Sequence, residues 1–128
     1  MKILAVHISV PVTDVEAAVR FYECLLNLTV FSRDGLLCQL GFDRHRISIR
    51  QTGADSPSLQ RDAAAGMRAR HFGFRLESRG DVDLCFARVL SCGGRTVSSP
   101  SEREDGYTFF CCDPSGNQVE IYYSTEPY

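Results

Sequence analysis

The chain has 128 residues, 44% of them hydrophobic and 23% charged, with a formal net charge of −2. That length suits one domain spanning 1–128, since halves of ~60 residues bury too little surface to stand comfortably alone. The charge argues against a nucleic-acid binder, which would carry a basic face. No apolar run approaches the ~18 residues that cross a bilayer, and the short apolar start merges into a strand instead of forming a signal peptide, so the protein is expected to be cytoplasmic with no membrane partner.

In chain order, the first predicted element is a strand from Ile3 to Val10. Side chains alternate between faces on a strand, so Leu4, Val6, Ile8 and Val10 form an apolar face and His7 and Ser9 look the other way. Thr13-x-x-Glu16 is a capping box for a helix from Val15 to Leu26, whose apolar face is Val15, Ala18, Tyr22, Leu25 and Leu26. Strands follow at Leu28 to Ser32, Leu36 to Gly41 and Arg46 to Arg50. In the last, Ser48 and Arg50 share a face opposite Ile47 and Ile49. Residues 52–69, rich in Gly, Ala, Ser and Asp, have no clear periodicity and are expected to be a linker or lid, with one helical turn at Asp62 to Gly66.

A second strand-helix unit begins at Arg70. Its strand, Arg70 to Leu76, puts Phe72, Phe74 and Leu76 on one face and His71, Gly73 and Arg75 on the other. The helix from Asp81 to Ser91 carries the stripe Val82, Cys85, Phe86, Val89 and Leu90, and Gly93-Gly94 stops it. A short strand holds Thr96-Val97, echoing Thr29-Val30. The charged stretch Ser98 to Gly106 is a second candidate lid. Tyr107 to Cys112 and Asn117 to Tyr123 form a hairpin about Asp113-Pro114-Ser115-Gly116, which suits a type I turn. In the final strand Glu120 and Tyr122 alternate with Val119, Ile121 and Tyr123. The six cysteines show no C-x-x-C spacing and are expected to be reduced packing thiols, with Cys111 and Cys112 pointing to opposite faces.

Each half therefore has the order β-α-β-β-β. The expected class is α+β, with two βαβββ modules, at 1–51 and 70–128, forming a cupped mixed sheet around a cleft. His7, His71 and Glu120 all occupy the less apolar face of their strands. Two imidazoles and one carboxylate make the facial ligand set of a divalent metal site with open positions.

Three stretches resemble the vicinal oxygen chelate superfamily, which includes glyoxalase I, extradiol dioxygenases, fosfomycin resistance transferases, methylmalonyl-CoA epimerases and bleomycin resistance proteins. They are His7-Ile-Ser-Val-Pro-Val-Thr-Asp with Ala18-Val-Arg-Phe-Tyr-Glu-Cys-Leu-Leu, then Arg70-His-Phe-Gly-Phe, and Phe110-Cys-Cys-Asp-Pro-Ser-Gly-Asn-Gln-Val-Glu-Ile. The last is close to the family's Asp-Pro-Asp-Gly-(x)3-Glu ending, with Ser115 replacing the usual Asp. The resemblance implies His7, His71 and Glu120 as ligands of Fe2+, Mn2+ or Zn2+, and a small-molecule substrate chelated through vicinal oxygens. It also implies a homodimer in which His7 can face His71 and Glu120 of the second chain.

The carboxylate of glyoxalase I on the last strand of the first half aligns with Ser48, which disfavours a strict glyoxalase I. Extradiol dioxygenases place a Tyr where Phe110 stands and a second-shell His with no equivalent here, His45 being at a hairpin tip. Tyr122 is then the candidate proton-transfer group. Fosfomycin transferases have a hydroxyl at the position of Ser9, and their phosphonate-gripping cations find an echo in Arg103. Arsenical-cleaving members carry a vicinal cysteine pair upstream of where Cys111-Cys112 lies. The expectation is a metal-dependent enzyme, with Tyr122 and Arg75 as catalytic groups and Ser9, Ser48, Arg50, Phe110 and Arg103 lining the substrate. Dioxygenase chemistry ranks just ahead of glyoxalase-like lyase or isomerase and fosfomycin-type transferase chemistry, and a metal-free, bleomycin resistance-like drug binder is the competing class.

Overall fold

A computed structural model describes residues 1–53, 71–104 and 106–127. The elements are β1 (His7–Val12), α1 (Val15–Leu26), β2 (Thr29–Asp34), β3 (Leu37–Phe42), β4 (His45–Gln51), β5 (His71–Arg75), α2 (Arg79–Arg88), β6 (Arg95–Thr96), β7 (Ser101–Arg103), β8 (Gly106–Cys112) and β9 (Gln118–Tyr123). The fold is α+β, with the order βαβββ in the first half and the same order with one short added strand, β7, in the second. Each half makes its own mixed sheet, ordered β1-β4-β3-β2 and β5-β9-β8-β6, with β7 added against β8. The expected helical turn at 62–66, and the 52–69 linker beyond Gly53, lie outside the described residues. No helix among the described residues is long and apolar enough to cross a membrane.

Strand alternation explains the layering. Val10, Val12, Cys38, Leu40, Ile47 and Ile49 of the first sheet, and Phe109, Cys111, Val119 and Ile121 of the second, belong to one buried cluster with the apolar faces of both helices. Fully burying each such Ile, Leu or Phe side chain contributes roughly 1.5–3 kcal/mol. Phe21 and Val19, outside the stripe expected for α1, are buried as well, because the helix is flanked on more than one side. The two helices meet where Arg88 Nη2 donates to Cys24 O at 2.8 Å and Cys85 Sγ lies 3.7 Å from Leu25 O. Gly94 sits so close to α1 that a Cβ there would overlap the Phe21 ring and come within 2.7 Å of Cys112 O.

Several expectations need correction. β1 begins at His7, not Ile3, and Leu4 and Val6 are exposed. The ladder opens at His7 opposite Arg46, where Val6 O accepts from Arg46 N at 3.2 Å, and before that β4 has turned away into its hairpin. The cap of α1 is Asp14, whose carboxylate accepts from Ala17 N at 3.2 Å. Thr13 is taken instead by Ser115, whose Oγ accepts from Thr13 N at 2.9 Å.

The second helix runs from Arg79 and stops at Arg88, capped by Ser78. Leu90 therefore leaves the core, while Gly93 takes the left-handed conformation (φ 93°). The supposed lid at 98–106 contains β7, with Ser101 opposite Thr108 and Arg103 opposite Gly106. Its charges pair laterally, Arg79 Nε meeting Glu102 Oε1 at 2.6 Å. Cys24 and Cys92, expected as free thiols, form a disulfide with Cα atoms 5.5 Å apart, because the end of α1 packs against the turn after α2.

Candidate functional site

The second sheet assembles most of the polar face that alternation selects. β5 and β9 run parallel with His71 opposite Gln118, Gly73 opposite Glu120 and Arg75 opposite Tyr122. On the other side of β9, antiparallel β8 sets Phe110 opposite Glu120 and Thr108 opposite Tyr122. Across this face His71 Nε2 lies 3.6 Å from Glu120 Oε1, too long for a hydrogen bond but suited to two donors converging on one point.

Glu120 is held in place from two sides. Thr108 Oγ1 is 3.0 Å from Glu120 Oε2, so the hydroxyl occupies that oxygen while the other faces His71. Gly73 provides the room, since a Cβ there would lie 3.3 Å from Glu120 Cβ and 3.4 Å from its Oε1. The Phe110 ring stands edge-on to the imidazole, centroids 5.3 Å apart at 90°, and the Arg103 guanidinium lies 5.5 Å from the Phe110 centroid. Thr108 and Gly73 were not among the expected site residues. Their parity with Phe110 and His71 was the available signal, but neither carries a group that draws attention alone.

The first-half candidates lie on the other sheet. His7 is exposed on β1 opposite Arg46, Ser9 lies opposite Ser48, and Pro11 opposite Arg50. They share one face, opposite the buried Val10, Ile47 and Ile49, yet they do not join His71 and Glu120 within the chain. Among the described residues no group of three His, Cys, Asp or Glu side chains is placed to hold a metal ion. Arg75 Nη2 donates to Ser124 O at 2.7 Å and Glu126 O at 2.6 Å, tying its guanidinium to the C-terminal segment. Tyr122 is half-buried on the Glu120 face.

Beneath the face, the β8–β9 turn is anchored by a buried carboxylate. Asp113 Oδ1 accepts from the backbone N–H groups of Ser115 and Asn117, both at 2.9 Å, and Oδ2 accepts from Tyr22 OH at 2.8 Å. Asn117 Nδ2 spans to Oδ2 at 3.0 Å and to Pro11 O at 2.8 Å, locking this turn to β1. Burial raises the Asp113 pKa, opposed by these hydrogen bonds, and burial with the adjacent carboxylate lifts Tyr22 well above its ordinary value. Cys111 is pushed up to about 12 by burial, and Cys112 is also raised by burial against the pull of Arg95. Neither thiol is primed as a nucleophile or soft ligand, in keeping with packing roles.

Residues 4–121 match the Glyoxalase/Bleomycin resistance protein/Dioxygenase superfamily. An uncharacterised protein of Pseudomonas aeruginosa is 29% identical, over 91% of this chain and 86% of its own length. A glyoxalase-related enzyme from Fulvimarina pelagi superposes with a TM-score of 0.75 at 17% identity, covering 97% of this chain and 89% of that one. A glyoxalase/bleomycin resistance protein/dioxygenase family enzyme from Burkholderia phytofirmans PsJN gives 0.75 at 17%, covering 92% and 96%. At these identities the structural likeness bears on the fold alone.

Proposed function

The chain belongs to the Glyoxalase/Bleomycin resistance protein/Dioxygenase superfamily, and from that premise we propose that it is a metal-dependent enzyme acting on a small oxygen-rich substrate. The observation that carries this reading is the approach of His71 Nε2 to Glu120 Oε1, with the second carboxylate oxygen already occupied by Thr108. A nitrogen and a hard oxygen donor of this kind suit Fe2+, Mn2+ or Zn2+. His7 of a second copy supplies the third donor, so the working unit is a homodimer and the exposed position of His7 on its own sheet is what a shared site requires.

A bound divalent ion supplies Lewis-acid polarisation of the substrate's vicinal oxygens and stabilises the anion that forms. The protein's own groups orient and shield. Phe110 forms an apolar wall beside His71, Arg103 brings positive charge over that ring, and Ser9, Ser48 and Arg50 furnish polar contacts from the other sheet. Tyr122, two residues past Glu120 on its face, is the proton-transfer candidate, and Arg75 fixes the adjoining C-terminal backbone in position to contribute charge. Oxygen-dependent cleavage ranks just ahead of lyase or isomerase chemistry because three protein ligands leave positions for both substrate and O2; fosfomycin-type transfer comes after them.

A metal-free drug-binding module is the second reading. It is favoured by one observation, that a single chain assembles no three-donor group among its described residues. Metal content of protein purified without chelators separates the two. Stoichiometric Fe, Mn or Zn in the wild type, lost in His71→Ala, supports the enzyme; equal, trace metal in both supports the binder.

A further inference from the structure

The open face of the first sheet is a grid defined by its register. Ser9, Ser48 and Gln39 stand side by side across β1, β4 and β3. His7, Arg46 and Gly41 form the row on one side of them, and Pro11, Arg50 and Leu37 the row on the other. Residues two apart on a strand share a face, so Ser48 stands between two arginines, about 6.6 Å from each along β4. The opposite face of that strand carries Ile47 and Ile49 and is buried.

The two arginines are engaged differently. Arg46 Nη1 donates to Asp43 O and His45 O, both at 2.9 Å, and its Cζ lies 3.5 Å from the Phe31 ring centroid, so its charge is fixed in place. Arg50 is exposed and makes no hydrogen bond or ion pair among the described residues. The side chains of Ser9, Ser48 and Gln39 likewise form no hydrogen bond among them. Asp34, opposite Leu37 on the edge strand β2, is two strand spacings from Arg50, about 10 Å. Positive charge is therefore in excess here, although the whole chain carries a net charge of −2.

The chemistry of these groups selects the ligand. A guanidinium only donates, and its planar fork matches two oxygens of a carboxylate or phosphate. The Ser48 hydroxyl and the Gln39 amide add donors one strand spacing apart. A cationic ligand is repelled by both arginines, and a neutral one gains nothing from their charge.

We propose that this face is an oxyanion subsite, in which Arg50 and Ser48 hold a carboxylate or phosphate group of the substrate. Gln39 and Ser9 are flanking donors, and Arg46 supplies fixed positive charge. The inference rests on the reading above that this face lines the substrate, and it narrows that substrate to an anion. The second half has no equivalent, since Glu120 takes the place of Ser48 and Phe110 that of Gln39.

The test titrates the full-length protein with inorganic phosphate and, separately, with acetate, followed by 15N NMR. Saturable shifts of the Ser48 and Arg50 backbone amides, the Gln39 side-chain amide and Arg50 Nε are expected, and the anion that binds more tightly identifies the substrate group. Glycerol should shift none of them. Arg50→Gln should weaken binding by about 10- to 100-fold, and Ser48→Ala by less, with circular dichroism unchanged. Four results overturn the proposal: no saturable shift with either anion, shifts only at other residues, the same shifts with glycerol, or binding that Arg50→Gln leaves unaltered. Metal content of the same samples keeps the two readings apart. A metal-loaded protein that binds neither anion overturns this inference alone, whereas Arg50-dependent anion binding by a protein without metal overturns the metal-site reading alone.

Discussion

The two halves use one strand plan and end with different chemistry. In each, the first strand runs parallel to the last: β1 against β4 sets His7 opposite Arg46 and Ser9 opposite Ser48, and β5 against β9 sets His71 opposite Gln118 and Gly73 opposite Glu120. The histidines are positional equivalents, and so are Ser48 and Glu120. The halves diverge two residues on from each histidine. Serine faces serine in the first half, two small side chains with no charge. In the second, a glycine opens the space that a carboxylate occupies, and Thr108 on the third strand holds that carboxylate. One frame thus brings His71 and Glu120 together in one half and leaves His7 alone on the other sheet, the separation from which the proposed dimeric site starts.

The sharpest way to break this contrast is to make the second half resemble the first. Glu120→Ser should reduce Zn2+ affinity by at least about 100-fold, more than loss of an outer hydrogen bond costs, as read by calorimetric titration, with the circular dichroism spectrum unchanged. If affinity survives, Glu120 is not a ligand and the asymmetry between the sheets has no functional meaning.

A smaller effect concerns what joins the halves. The Cys24–Cys92 disulfide closes a long loop between α1 and the turn after α2. Cys24→Ser should lower unfolding free energy by about 2 to 4 kcal/mol in urea titrations without reductant. Adding reductant to the wild type should bring it to the variant's value.

The smallest effect lies at Asp113, which links the second-half hairpin to Tyr22 of the first half. Its pKa is raised in the folded state, so the native protein holds that proton more tightly than the unfolded chain. The sign follows: this group's contribution falls as pH rises from the ordinary carboxylate value through the raised one, and is most favourable below both. Asp113→Asn removes the dependence, so its stability plotted between about pH 3 and pH 7 should slope upward with pH more steeply than that of the wild type. Coincident slopes would mean that the carboxylate titrates as it does in the unfolded chain.

Period-two alternation was legible for β1, β4, β5 and β9, which bear His7, Ser48, His71 and Glu120. It placed His71 and Glu120 each on the less apolar face of its strand, and 3.6-residue periodicity located α1 at its observed bounds. The places where the sequence misled share a cause. Leu4 and Val6 have strand-like alternation but lie before the start of β1 with their side chains exposed, Leu90 continues a helical stripe past a helix that ends before it, and Glu102 and Arg103 sit in a charged stretch that pairs with β8 only because the hairpin is there to receive it. Thr13 fits a capping box locally, yet Ser115, far along the chain, claims it.

The amino-acid order by itself determined the repeated βαβββ plan and the polar faces that carry His7, His71 and Glu120, because side-chain direction along a strand or helix depends only on local backbone geometry. Tertiary structure alone decided that His71 and Glu120 approach each other while His7 stays on a separate sheet, that Cys24 reaches Cys92, and that Thr108, Gly73 and Gln118 surround the pair. These depend on which strands become neighbours and in what register, a choice made by burial of the whole core and invisible in any short stretch of residues.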